Sequence, residues 1–500
     1  MAAVTAPDVD ILVIGAGQAG LSAGYHLQRL GLRPEQDFLI VDHAPGPGGA
    51  WQFRWPSLTL TTVNGVHDLP GMAFTEVLRP GSDQAPAATA VPEYYARYEQ
   101  RFDLRVHRPT TVRVVCDRAT PTTCPTESVD GLLHAETVPG TPGSSGSATT
   151  NGSGERRTGR IDVPGAASGA AESVSTTGYS DDSSGKRLTG RIDVPGAASG
   201  AAESVSTAGY SDNSAEQTHR TPGRPAEYDT ATDDSDATRA RHATMASTEH
   251  RVLELSDSAT IFDPPATLRV RGLINATGTW EKPFVPYYPD AGTFAGRQLH
   301  AHDYRNAEEF AGRHVVVVGA GISAVQLLDE ISRVTTTTWT SRTEPRWRTD
   351  EFSRDAGRRA VAMVEDRVRR GLPPRSVVSV TGLPVTDRIR AARARGVMDW
   401  HPMFSRIEPD GVRWADGTPQ PADVILWATG FRSALDHLAP LRLRGPGGGI
   451  TMTGRLATQV AADPRIHLLG YGPSASTIGA NRAGRAAAVE LTEHLGLRRV

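Results

Sequence analysis

Glycines recur at fixed spacing after two apolar runs of the chain. Asp10–Ile14 leads into Gly15-Ala16-Gly17-Gln18-Ala19-Gly20, and His314–Val318 leads into Gly319-Ala320-Gly321-Ile322-Ser323-Ala324. In such loops the first glycine permits a tight turn, the second lets the backbone approach a pyrophosphate, and the third small residue lets helix and strand pack closely. The helix that follows directs free N–H groups at the phosphates. Two dinucleotide sites are therefore expected, with these loop residues: Gly15, Gly17 and Gly20; and Gly319, Gly321, Ser323 and Ala324.

The residue that follows the next strand distinguishes the two sites. After the first loop, Phe38–Val41 ends in Asp42, where a carboxylate is expected to bind a ribose hydroxyl. After the second loop, Thr335–Thr340 ends in Ser341 and Arg342. A hydroxyl and a guanidinium suit a 2′-phosphate, which a carboxylate would repel. We therefore expect FAD at the first site and NADPH at the second. These two cofactors together carry out hydride transfer from nicotinamide to flavin.

Each loop needs a buried strand before it and a helix after it. The spacing of apolar residues predicts helices over Leu21–Leu30, with Gly31 as a stop, and over Ala324–Ile331. This order predicts an α/β fold with two Rossmann-like dinucleotide-binding domains, the FAD domain being interrupted by the NADPH domain. The expected FAD-binding parts are residues 1–118, 251–305 and 426–500, and the expected NADPH-binding domain is 306–425.

A low-complexity segment, residues 119–250, interrupts the FAD-binding part. It is rich in Ser, Thr, Gly, Ala, Pro and Asp, and it contains a tandem repeat in which Thr158–Ser183 recurs as Thr189–Ser214. Two copies with so few apolar side chains cannot stack into a solenoid, so a long disordered insertion is expected. The β-branched runs on its flanks, Thr111–Cys116 and Leu268–Ile274, are predicted strands of one domain.

Composition excludes several classes of function. The chain has 500 residues, too many for one hydrophobic core, and a formal net charge of −3, which gives no electrostatic case for nucleic-acid or anionic-membrane partners. No stretch approaches the roughly 20 apolar residues that cross a bilayer, and no basic region precedes the first strand, so we expect a cytoplasmic protein.

The chain has two cysteines. Cys116 and Cys124 have neither C-x-x-C nor zinc-ligand spacing and are expected to be reduced thiols. No metal site is predicted, and the oligomeric state stays open.

A third motif precedes the second loop. Residues Phe294 to Tyr304 follow the pattern F-x-G-x-x-x-H-x-x-x-Y, with Gly296 and His300 at the inner positions. Together with the two loops, this motif resembles the class B flavin-dependent monooxygenases, over residues 8 to about 118 and 251 to 496. A Trp is typical of the last position in the Baeyer–Villiger branch, so Tyr304 favours the flavin-containing monooxygenase branch.

The resemblance implies further contacts. The segments that match the family add residues to both expected sites. The added FAD-binding residues are Gly49, Trp51, Thr62, Ala276, Gly278 and Ser474, and the added NADPH-binding residues are Thr429 and Gly430. The implied reaction is reduction of FAD by NADPH, formation of a C4a-(hydro)peroxyflavin with O2, and transfer of one oxygen atom to a small-molecule substrate. The cofactors carry most of this chemistry, so no catalytic residue is assigned. The candidates are Asn64, Thr62 and His300, and for His300 a structural role is favoured.

Other functions stay open at this point. Family members often carry an Asn beside the reactive edge of the flavin, where this chain has Thr61 or Thr62, with Asn64 nearby. A protein that protects the oxygen adduct poorly would be an NADPH:FAD oxidoreductase or an NADPH oxidase that releases hydrogen peroxide. A thioredoxin-reductase-like enzyme shares the two-site layout, but it needs a redox cysteine pair. A nucleotide-sensing flavoprotein is the non-enzymatic alternative.

Overall fold

The computed structural model describes residues 6–63, 66–78, 81–117, 131–139, 267–348, 354–375 and 381–497. The tandem repeat lies outside these ranges. In chain order the strands are β1 (Val9–Ile14), β2 (Phe38–Val41), β3 (Val106–His107), β4 (Thr110–Cys116), β5 (Leu133–Pro139), β6 (Thr267–Asn275), β7 (Arg297–His300), β8 (Val315–Val318), β9 (Thr337–Ser341), β10 (Trp347–Arg348), β11 (Leu383–Pro384), β12 (Trp400–Pro402), β13 (Arg406–Glu408), β14 (Gly411–Arg413), β15 (Pro419–Pro421), β16 (Val424–Trp427), β17 (Met452–Thr453), β18 (Gln459–Val460) and β19 (Ile466–Leu468).

The α-helices lie between strands and after the last strand. They are α1 (Gln18–Arg29), α2 (Ala87–Arg101), α3 (Ile322–Ile331), α4 (Arg354–Arg369), α5 (Asp387–Ala394) and α6 (Thr477–His494). Short 3-10 turns connect them, and two of these, Gly49–Phe53 and Gly472–Ala475, lie beside the first glycine loop's cleft. Within the described ranges, no helix combines the length and the apolar character that a bilayer crossing requires.

The first sheet is built around β1. Strands run in the order β17-β18-β19-β6-β1-β2-β3, and β5 pairs with both β4 and β6. The central pairs are parallel, with Ile11 beside Phe38 on one side and beside Gly272 on the other. Helices α1 and α6 pack against each other on one face, because Gly484 leaves room for Ser22. Central parallel strands are buried on both faces, which explains the continuous apolar run of β1.

The second sheet has five parallel strands in the order β12-β9-β8-β16-β7. The four valines of β8 are buried between β9 and β16, and α3 packs on Val315 and Val317 through Val325, Leu328 and Ile331. A separate antiparallel sheet, β13-β14-β15, extends from the region before β16. The predicted α/β class with two Rossmann-like sheets is therefore confirmed.

Several predicted elements need correction at their ends. Helices α1 and α3 begin at Gln18 and Ile322, earlier than predicted, because the middle glycine of each loop is itself the residue that precedes the helix. Strand β5 lies inside the range predicted to be disordered, where Leu133 and Ala135 are buried between β4 and β6. The expectation for residues 119–250 is therefore wrong at this strand.

The expectation of reduced thiols is also wrong for Cys116, which is disulfide-bonded and buried at the end of β4. The other predicted thiol, Cys124, lies outside the described residues.

Candidate dinucleotide sites

The first glycine loop packs as its three positions predict. Gly15 has a φ of +96°, and a Cβ added there would lie 2.6 Å from the carbonyl oxygen of Ala276. A Cβ on Gly20 would lie 1.8 Å from the Gly15 carbonyl oxygen, so this position keeps α1 close to β1. By contrast, a Cβ on Gly17 would meet no atom within 4 Å, because this glycine faces an open cleft. The N-terminus of α1 therefore faces free space suited to a pyrophosphate.

Asp42, which follows β2, is hydrogen-bonded to the backbone of this loop. Its carboxylate is buried, and it accepts a hydrogen bond from the Ala16 N–H at 2.6 Å and one from the Ala44 N–H at 2.8 Å. The guanidinium of Arg108 approaches the same carboxylate to 4.0 Å. Asp42 lines the cleft, as a ribose-binding residue must, and it also fixes the shape of the loop.

The cleft has a volume of about 490 Å³. Of the predicted FAD residues, it is lined by Gly15, Gly17, Asp42, Gly49, Trp51, Ala276, Gly278 and Ser474. Gly49 approaches the loop closely, since its added Cβ would lie 3.0 Å from the Gly17 Cα. The loop backbone, the α1 N-terminus and the aromatic rings of Trp51 and Tyr95 form a lining that fits the phosphates and the ring system of FAD.

Thr62 was predicted to bind FAD, but its side chain is engaged elsewhere. It does not line the cleft, and its hydroxyl is used within a turn, where it donates to the Thr59 carbonyl at 3.1 Å and accepts from the Thr59 N–H at 2.9 Å. Its carbonyl oxygen accepts a hydrogen bond from Gln326 on α3, so Thr62 joins the first loop region to the second sheet. The other candidate in this segment, Asn64, lies outside the described residues.

Two linkers meet at the far end of the cleft. Trp280 follows the Ala276-Thr277-Gly278 turn after β6, and Phe431 follows the Ala428-Thr429-Gly430 turn after β16. Their rings stack, with centroids 5.2 Å apart and an interplanar angle of 25°. Both rings line the cleft, so the cleft runs from the first glycine loop to the end of the second sheet.

The second glycine loop repeats the first. Gly319 has a φ of +147°, and its added Cβ would lie 2.3 Å from the Ala428 carbonyl oxygen, whereas the position of Gly321 is open. Ala324 is fully buried on the inner side of α3, and Ser323 lies in the first turn of this helix. This lining again leaves helix N–H groups for a pyrophosphate, as NADPH requires.

Four predicted NADPH residues have different surroundings. Ser341 is buried, and its hydroxyl donates to the Thr343 carbonyl at 2.7 Å and accepts from the Trp400 indole at 2.8 Å. Arg342 is exposed and available for a phosphate.

The other two predicted residues lie in the turn after β16. The hydroxyl of Thr429 donates to the carbonyl oxygen of Phe284. The Gly430 carbonyl also accepts hydrogen bonds within the protein, so these last two residues hold the linker in place.

The residues of the third motif are structural. Gly296 is required because its added Cβ would lie 2.4 Å from the Asp423 carbonyl oxygen and 2.5 Å from the ring of Phe294. Tyr304 is buried and donates to Glu330 at 2.8 Å. The ring of His300 is buried, with Nε2 3.0 Å from the Gly430 carbonyl oxygen and Nδ1 3.0 Å from the His302 N–H. Burial lowers the pKa of His300 to about 4.

Three side chains of the cleft were missed by the sequence predictions. His43 lies 3.2 Å from Glu281, and this hydrogen bond raises the pKa of His43 and lowers that of Glu281. The guanidinium of Arg54 lies over the Trp280 ring at 4.5 Å. The sequence signals were weak: His43 comes directly after Asp42, Glu281 follows the Ala276-Thr277-Gly278 turn, and Arg54 follows the G-G-x-W segment.

Family matches cover both dinucleotide regions. Residues 269–379 match the description "Flavin-binding monooxygenase-like", and residues 13–77 match "NAD(P)-binding Rossmann-like domain". An uncharacterized oxidoreductase, CzcO of Bacillus velezensis, is 35% identical over 103 residues, which cover 21% of this chain and 28% of that protein. Indole-3-pyruvate monooxygenase YUCCA4 of Oryza sativa is 29% identical over 198 residues, or 34% of this chain and 45% of that protein. The chain thus aligns with less than half the length of each of these curated relatives.

A solved structure extends the similarity over the chain. The flavin-containing monooxygenase from Stenotrophomonas maltophilia is 26% identical, with a TM-score of 0.59, and the alignment covers 98% of this chain and 99% of that one. The lining of the two sites fits FAD and NADPH, in agreement with the families that match. The resemblance drawn from the motifs is therefore confirmed, and the chain is related to the flavin-binding monooxygenases.

Proposed function

We propose that this protein is an NADPH-dependent flavoprotein monooxygenase that transfers one oxygen atom of O2 to a small molecule. The observation that carries the proposal is the stacking of Trp280 on Phe431, since each ring follows the turn after a parallel strand, and the two strands, β6 and β16, belong to different sheets. Hydride transfer requires the nicotinamide and the flavin to meet, and this junction lies at the carboxyl ends of both sheets, where ligands of such folds bind.

The residues of the chain bind and orient the two dinucleotides. The N–H groups at the start of α1 and α3 would hold the two pyrophosphates, and Arg342, which is exposed, would hold the 2′-phosphate of NADPH. The bound flavin supplies two-electron transfer from NADPH to O2, so that one oxygen atom enters the substrate and the other leaves as water. The rings of Trp51, Trp280 and Phe431 line the cleft, where they exclude water from the reacting groups.

His300 takes no proton in this reaction. Both ring nitrogens are engaged by backbone groups, and burial keeps the imidazole neutral at physiological pH. His300 is instead a positioning residue for the Gly430 turn.

The proposal is tested with purified protein loaded with FAD. Thioanisole, NADPH and ¹⁸O2 are supplied together, and product, NADPH consumption and hydrogen peroxide are measured. The expected result is methyl phenyl sulfoxide that carries ¹⁸O, formed in proportion to NADPH consumed. Peroxide equal to the NADPH consumed, without labelled sulfoxide, would instead identify an NADPH oxidase. A single slow turnover of NADPH would identify a sensing flavoprotein. Free FAD with NADPH, without protein, is the control.

The disulfide-reductase alternative has little support from the site. Such an enzyme needs a cysteine pair beside the flavin, and the described residues that line the cleft include no cysteine. Cys116 is buried at the end of β4, and the cleft is lined by the opposite end of that strand, Thr110–Val112.

A further inference from the structure

Arg54 is a charged residue in an aromatic part of the cleft. Its guanidinium lies 4.5 Å from the centroid of the Trp280 ring and 5.9 Å from that of the Trp51 ring. Its Nε atom is buried and has no hydrogen-bond partner. A buried N–H of a charged group that has no acceptor is costly, and a bound anion would supply the missing acceptor.

The described acidic residues of the cleft are already engaged. Both carboxylate oxygens of Asp42 accept backbone N–H groups, and Glu281 lies 3.2 Å from His43. The pKa of Arg54 is lowered to about 10 by burial, with no carboxylate acting to raise it. Within the part of the chain that the structure describes, Arg54 is therefore the cation of the cleft without an anionic partner.

The two pyrophosphate sites have donors other than Arg54. Those sites face Gly17 and Gly321 at the starts of α1 and α3, and backbone N–H groups serve the phosphates there. Arg54 instead packs on Trp280, which stacks on Phe431 at the junction of the two linkers. The group that Arg54 binds is therefore expected beside the reacting rings.

We propose that Arg54 is a substrate-binding residue and that it binds a carboxylate of the molecule to be oxidised. A guanidinium presents its N–H donors in a plane, and a carboxylate is the planar anion that accepts two of them at once. The flanking indole rings keep this plane fixed and offer flat surface to an unsaturated or aromatic substrate. This proposal rests on the proposed monooxygenase function, and it favours organic acids over protonated amines, which Arg54 would repel.

The test uses the FAD-loaded protein and two probes with the same thioether, para-(methylthio)benzoate and its neutral amide. Dissociation constants are measured without NADPH, from the change in flavin absorbance. The wild-type protein is expected to bind the benzoate about tenfold to a hundredfold more tightly than the amide, as a charge-assisted hydrogen bond provides. Arg54→Gln should abolish this preference, and Arg54→Lys should retain part of it. Arg432→Gln, which removes a guanidinium over Phe284 outside the cleft, should leave it unchanged.

Three results would overturn the proposal. The wild-type protein could bind both probes equally, or Arg54→Gln could weaken both by the same factor. Alternatively, the variant could retain the preference but shift the midpoint potential of the bound flavin, in which case Arg54 acts on the cofactor. If Arg54→Gln does not fold, Arg54→Lys and Arg54→Met provide the same comparison. Because binding is measured without NADPH, these results do not depend on whether oxygenation occurs.

Discussion

The Nε2 atom of His300 lies 3.0 Å from the carbonyl oxygen of Gly430, and this contact joins the end of β7 to the turn after β16. The His302 N–H is directed at the other ring nitrogen, so that nitrogen accepts and Nε2 carries the proton. The imidazole is therefore neutral, and its two hydrogen bonds hold the linker on which Phe431 approaches the cleft. Protonation would remove the acceptor at Nδ1 and place a charge in a buried position.

This arrangement predicts an acid-dependent loss of stability. The pKa of His300 is about 4 in the folded protein and about 6.5 when unfolded, so only the unfolded state gains a proton between these values. Stability is therefore complete above about pH 6.5 and declines as the pH falls toward 4, by about 2 kcal/mol at pH 5. His300→Gln can keep both hydrogen bonds without titrating, so its denaturant-unfolding free energy should fall less between pH 7.5 and 5.

His437 and His467 serve as the internal comparison. Burial lowers the pKa of His437 to about 4 and that of His467 to about 3, so some pH dependence should persist in the His300 variant. Equal losses of unfolding free energy in wild-type and variant proteins would show that His300 is not neutral in the folded state.

The first glycine loop predicts opposite results for two neighbouring substitutions. Gly17→Ala adds a methyl group that meets no protein atom within 4 Å, so the protein should fold normally but lose FAD, whose pyrophosphate needs that space. Gly15→Ala places a methyl group 2.6 Å from the Ala276 carbonyl oxygen at a φ of +96°, so it should destabilise the fold itself. FAD content by absorbance and melting temperature separate the two effects. Full FAD occupancy in Gly17→Ala would contradict this assignment of the site.

Asp42 should matter for both stability and FAD content. In Asp42→Asn, one of the two backbone N–H groups faces an amide NH2, which cannot accept it, so we expect a loss of about 1–3 kcal/mol. The distorted loop should also retain less FAD than the wild-type loop. Asp387→Asn is the control: this side chain is 95% exposed and its ion pair with Arg390 contributes less than about 1 kcal/mol, so stability should fall less and FAD content should not change. Denaturant unfolding and flavin absorbance measure the two effects, and a stable Asp42→Asn with full FAD would contradict the prediction.

The sequence was sufficient where local pattern determines structure. The bounds of β2, Phe38–Val41, follow from its apolar run, and both glycine loops follow from residue type and spacing. The sequence predicts that the Ser341 hydroxyl binds a phosphate, yet this hydroxyl accepts a hydrogen bond from the Trp400 indole. The sequence pattern does not reveal this contact, because β12 pairs with β9 from far along the chain. The contact of Arg54 with Trp280 likewise joins the end of the Gly49–Phe53 turn to the linker after β6, and no periodicity within either segment encodes it.

The difference between Ser341 and Arg342 gives the last prediction. Because the Ser341 hydroxyl is buried and already donates and accepts, Ser341→Ala should reduce stability without changing the preference for NADPH over NADH. Arg342 is exposed, so Arg342→Ala should fold normally and lose most of that preference. A charge-assisted contact to a phosphate corresponds to about tenfold or more in kcat/KM, and the loss should be confined to NADPH. The ratio of kcat/KM for the two coenzymes is measured in both variants. An unchanged ratio in Arg342→Ala, or a shifted ratio in Ser341→Ala, would show that the 2′-phosphate is recognised elsewhere.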